Sequence, residues 1–240
     1  MRAVIKQDFK ITTEESEELQ RRLTDLYYEN AGITPEFYIE QTDFSSYPTY
    51  IDSDGDIRPT NSYLKGITDE VYSRYGEFGT DHIVVLVHED NWKSDTDTTK
   101  GIWGTSYSNL WGRSYHLQYV RFDRDNEANQ LGTLYHELMH SHDALIKTTI
   151  GVDIDKITAF APDWDRQVVH GGGVNYSYMR YMDNLDALQY IAPYLRESYA
   201  KRKSLHVEEN KTLYAIIALI QKFLIKYKAV YNRKDGVPRT

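Results

Sequence analysis

The stretch "YHELMHSHDAL", residues 135–145, decides how this sequence is read. Three histidines and two acids crowd between His136 and Asp143. Successive residues on an α-helix are separated by about 100°. With His136 at zero, His140 falls at about 40°, Asp143 at about −20° and Glu137 at about 100°. His142 falls at about −120°, away from that face. Leu134, Leu138 and Leu145 cluster near 180°, so the segment predicts a helix with a leucine back and a His/His/Asp front. Ordinary amphipathicity would also give a polar front. The unusual part is its content: two imidazoles one turn apart, with a carboxylate directly after the first.

That content suits a metal. Imidazoles at i and i+4 reach one zinc ion without distorting the helix. A Glu following the first His lies beside the ion, where it can take a proton from an activated water. Asp143 has two readings: a hydrogen-bond partner that fixes a ligand imidazole's tautomer, or a solvent-facing helix carboxylate. His142 is set aside as a structural or substrate-side residue. The chain has no cysteine, so thiolate zinc sites and disulfides are excluded, and any zinc must use His, Asp, Glu and water.

"HELMH" at 136–140 is an H-E-x-x-H motif, and on it the chain resembles the zincin metallopeptidases. The match covers five residues of 240, with a predicted strand before it and a helix carrying it. The resemblance implies Zn2+ as cofactor, His136 and His140 as ligands, Glu137 as general base, and a peptide or protein substrate. It also implies an upstream edge strand that aligns the substrate, for which residues 115–122 are the candidate.

The metzincin extension H-E-x-x-H-x-x-G-x-x-H is absent, because Asp143 and Ile146 stand at its last two marked positions. H-E-x-x-H-x-x-D is similar to a toxin-type group whose third ligand is a Glu on a later helix, and Asp186 occupies the matching position. His170, in "VVHGGG", loosely resembles the third ligand of SprT-like metalloproteases. Its glycines would let backbone pass close to a metal. His170 is the favoured third ligand, Asp186 the next, with Asp183 and Glu197 behind. No single tyrosine among the 21 is assigned to oxyanion stabilisation.

The rest of the chain fits one domain over 1–240: an α/β part over 1–146 ending in the motif helix, and a mainly helical lobe over 147–240. Helices are predicted at 13–30 and 62–76. Strands are predicted at 36–44, 81–90, about 102–107 and 115–122, with a hairpin over 47–59 turning at Asp54-Gly55. Asp52, Asp54 and Asp56 do not make an EF-hand loop, since Gly falls fourth and Tyr63 twelfth. Two further helices are predicted: 176–202, kinked at Pro193, and 207–231, with Leu213, Ile216, Ile217, Ile220, Leu224 and Tyr227 on one stripe. The fold class is α+β and zincin-like, a small mixed sheet packed on helices.

A net charge of −8 without a dense basic stripe argues against nucleic-acid binding. "LYAIIALI" (213–220) is too short to span a bilayer, and no membrane partner is expected. "MRAVIKQDFK" lacks an apolar core of signal-peptide length, which suits a cytoplasmic protein or a trimmed secreted one. The functional expectation is a zinc endopeptidase; the alternative is a zincin-fold module in which zinc only stabilises a binding or structural role.

Overall fold

The computed structural model describes residues 1–53, 57–88, 104–108, 116–122, 127–154 and 185–234; within these, side chains at 127–129, 185–187 and 226–234 are not described. Strand β1 (Arg2–Asp8) leads into helix α1 (Thr13–Ala31), then β2 (Glu36–Thr42). A 3-10 turn (Phe44–Ser46) precedes the hairpin β3 (Thr49–Ile51) and β4 (Ile57–Pro59). Helix α2 (Asn61–Tyr75) and strands β5 (His82–His88), β6 (Gly104–Ser108) and β7 (His116–Phe122) follow. The motif helix α3 spans Glu127–Ile150, and α4 spans Leu185–Lys234.

The local signals are chemical. Thr12 caps α1: its hydroxyl accepts from the Glu15 N–H, and Glu15 accepts from the Thr12 N–H, a reciprocal capping box. Gly32 ends the helix at φ 62°, a left-handed position that suits glycine. The predicted hairpin forms, with Thr49 opposite Pro59 and Ile51 opposite Ile57.

Five strands form a mixed sheet in the order β2-β1-β5-β7-β6. The first four run parallel, and β6 is antiparallel to β7. Alternation along the strands divides the core. Ile5, Val84, Leu86, Val120 and Phe122 face α1, α3 and α4, while Val4, Ile83, Val85, Leu117 and Tyr119 face α2. This is an α+β fold with a small mixed sheet between helices and a helical C-terminal half.

Three expectations change. Residues 2–8 carried no assignment, yet β1 pairs with both β2 and β5 near the middle of the sheet. Its polar residues hide it: Lys6 is buried by ion pairs to Glu40 (3.1 Å) and Glu70 (2.9 Å), and Gln7 accepts from the Ser16 hydroxyl at 2.5 Å. Such partners are distant in sequence, so no local pattern reveals them. Second, residues 115–122 were expected to form an edge strand. β7 instead lies inside the sheet between β5 and β6, and among the described residues β6 is the edge on that side, with β2 at the other. Third, the two C-terminal helices are one helix of 50 residues with Pro193 inside it, and His206 lies within it rather than before a second helix. Residues 194–234 contain neither Gly nor Pro, so nothing in that span breaks the hydrogen-bond ladder. The part of the predicted helix before 185 lies outside the described residues, as does the Asp54-Gly55 turn.

Candidate metal centre

Helix α3 seats the site through its back. Leu134, Leu138 and Leu145 are fully buried against the sheet and neighbouring helices. Each such leucine contributes about 1.5–3 kcal/mol of hydrophobic stabilisation. This anchoring fixes the rotation of the helix, and hence the direction of its front.

On that front, His136 Nε2 and His140 Nε2 lie 3.1 Å apart, with ring centroids 4.5 Å apart and planes at 76°. Two zinc–nitrogen bonds of about 2.0–2.1 Å meeting at a tetrahedral angle place their nitrogens about 3.3 Å apart. The described pair therefore matches the bite of one shared ion. Glu137 is buried, with Oε1 3.9 Å from His136 Nε2.

The edge strand closes on the same carboxylate. A Cβ built on Gly104 would stand 2.8 Å from both Cγ and Oε1 of Glu137, and 2.9 Å from Thr133 Cγ2. Only glycine permits β6 to pass this close. Thr133 lies one turn before Glu137, on the same side of α3. Neither Gly104 nor Thr133 stood out in the sequence; the one available signal was a glycine inside the short strand predicted at about 102–107. On β6, burial raises the Tyr107 hydroxyl above its ordinary pKa, and the Glu137 carboxylate adds to the shift. The hairpin reaches this strand too: Arg58, held by Asp52 at 2.7 Å, donates to Thr105 Oγ1 at 3.4 Å.

A buried polar cluster supports α3 from behind. Gln118 on β7 donates to Ser141 Oγ at 3.1 Å, and Ser141 donates to the Leu138 carbonyl at 3.0 Å. Ser141 Oγ also lies 3.4 Å from His82 Nδ1, and His82 Nε2 lies 3.0 Å from the Tyr199 hydroxyl. His142 is fully buried in this cluster, with Nε2 2.6 Å from the Tyr27 hydroxyl. It is thus a structural residue, directed away from the His136/His140 pair. Burial is the main force on all three imidazoles here. It holds His82 well below the ordinary range and brings His116 and His142 to about 3, so they are neutral at physiological pH.

Asp143 is half-buried, and its Oδ1 accepts the Ala144 N–H at 2.6 Å. Glu197 is exposed on α4. His170 and Asp183 lie outside the described residues, and Asp186 sits on the first turn of α4 without a described side chain. Among the described residues no three metal-ligating side chains form a complete site. The described chain supplies two donors and an adjacent carboxylate.

No protein-family model matches the chain. No curated protein matches it significantly. Among solved structures, it is similar to archaemetzincin from Methanopyrus kandleri, with a TM-score of 0.40 and 16% identity over 79% of this chain and 94% of that one.

Proposed function

We propose that this protein is a zinc-dependent endopeptidase. The observation that carries the reading is the His136/His140 pair: two imidazole nitrogens 3.1 Å apart, beside a buried carboxylate and against an edge strand. His136 and His140 would hold the ion, with His170 as third ligand and Asp186 as the next choice. Zinc bound there would supply Lewis acidity and lower the pKa of water toward neutrality.

The chain's own residues supply the rest. Glu137 accepts a proton from the attacking water and delivers it to the departing amine. Burial and the neighbouring β6 backbone restrict its rotamers, so the carboxylate is aimed before substrate arrives. The outer edge of β6, rather than residues 115–122, offers the backbone hydrogen-bonding groups for a substrate in extended form. The Gln118–Ser141 bond ties α3 to the sheet, so ligand pair and edge strand keep a fixed relation.

The test is Glu137→Gln, assayed on a peptide library with metal analysis of the same preparations. Retained zinc with lost hydrolysis supports the mechanism. Cleavage equal to wild type overturns it. Full zinc occupancy in wild type with no cleavage of any peptide would favour a zinc-stabilised binding module instead.

A further inference from the structure

Helix α4 changes character along its length. Leu188, Ile191, Leu195 and Tyr199 enter the core, and Arg202 is buried, bonded to Asp81 at 2.9 Å and to the Thr80 carbonyl at 2.7 Å. His206 and Glu209 still lie against the loop at Gly76 and Gly79. From Lys211 through Ile225 every described residue is exposed. That span includes Leu213, Ile216, Ile217, Leu219, Ile220 and Leu224, and Leu219 and Ile225 keep 66% and 70% of their surface open. The apolar stripe read from the sequence has no core against it among the described residues.

The arrangement around this helix is specific. At about 100° per residue, Lys211, Ala215, Ala218 and Lys222 fall on one narrow stripe. Leu213, Ile217, Ile220 and Leu224 lie opposite, and Ile216 and Leu219 widen the apolar face on one flank. Residues 210–234 carry six Lys and Arg and no Asp or Glu, in a chain whose net charge is −8. A two-helix seam centred on Leu213 and Ile220 would leave Leu219 uncovered. A lipid surface covers a wide apolar face, and anionic headgroups complement a cationic stripe.

We propose that residues 211–231 of α4 lie in the plane of an anionic lipid bilayer, with the isoleucine and leucine face at the acyl boundary and the Lys211/Lys222 stripe at the phosphates. No described helix is long and apolar enough to cross a membrane, and an in-plane helix needs no such length. The expectation of no membrane partner rested on the lack of a span, which does not bear on this mode. The proposal is independent of the peptidase reading.

The full chain is floated with vesicles of phosphatidylglycerol and phosphatidylcholine, and separately with phosphatidylcholine alone. We expect it to float with the anionic vesicles, to do so less as salt rises, and to float poorly with the neutral ones. Each exchange in Lys211→Glu and Lys222→Glu should lower partitioning by about fivefold or more at low salt. The pair Ile217→Glu/Leu224→Glu should abolish binding with an unchanged circular dichroism spectrum. A Leu213→Trp reporter should shift its emission to the blue on binding. Absence of flotation with anionic vesicles overturns the proposal. A dimer that Ile217→Glu/Leu224→Glu dissociates, without vesicle binding, assigns the face to a second copy. Loss of helical signal or cooperative folding in that variant, again without vesicle binding, assigns it to another segment of this chain.

Discussion

Gly104 and Glu137 stand so close that a single added methyl on the glycine would sit 2.8 Å from the Glu137 side chain. The edge strand and the motif helix are therefore fitted to each other at the residue proposed to move the proton. Gly104→Ala should displace Glu137 or push β6 outward. The expected result is a loss of kcat/KM of at least about tenfold, since small misplacements near reacting groups cost about that much or more. Stability should fall by about 1–3 kcal/mol from overpacking. Zinc content should remain at the wild-type level. Unchanged kcat/KM would show that the contact does not position the carboxylate.

Ligand assignment is read from metal content. His136→Ala and His140→Ala should each remove stoichiometric zinc from protein purified without added metal. His170→Ala and Asp186→Ala then separate the two candidates for third ligand. The true ligand's variant should lose zinc affinity by orders of magnitude, and the other should keep it. Retention of zinc by both would move the third donor to Asp183 or Glu197.

Acid should unfold the protein earlier than its surface charge alone would suggest. His82 and His116 are neutral in the fold because burial lowers their pKa values, His116 to about 3. In the unfolded chain both return to about 6.5. The folded state thus binds fewer protons, and its stability is complete above about pH 6.5 and falls as pH drops toward 3. Each histidine contributes a slope of up to about 1.4 kcal/mol per pH unit within that window. Urea midpoints between pH 7 and 4 should decline, and His116→Gln should make the decline shallower. A flat midpoint over that range would contradict the buried neutral state.

Tyr27→Phe removes the hydroxyl 2.6 Å from His142 Nε2 and leaves a buried ring nitrogen without that partner. The expected cost is about 1–3 kcal/mol in stability. Zinc content should stay unchanged, because His142 belongs to the support behind α3 and not to its front. A loss of zinc together with normal stability would place His142 in the metal site after all.

What was legible in the sequence was whatever depends on neighbours along the chain. Helical period alone separated His136, Glu137 and His140 from His142, and the leucine back from the front. The helix predicted at 13–30 and the hairpin were local chemistry of the same kind. The order of strands was not legible, because pairing joins residues far apart. β1 is stabilised by Glu40 and Glu70, and β7 lies inside the sheet because β6 folds back onto it. Only the tertiary structure brought Gly104 against Glu137 and buried His82, His116 and His142 behind the motif helix. It also left the 213–225 segment of α4 facing outward, although an apolar stripe looks the same in sequence whatever covers it. Periodicity states which residues share a face; packing across the chain decides what that face meets.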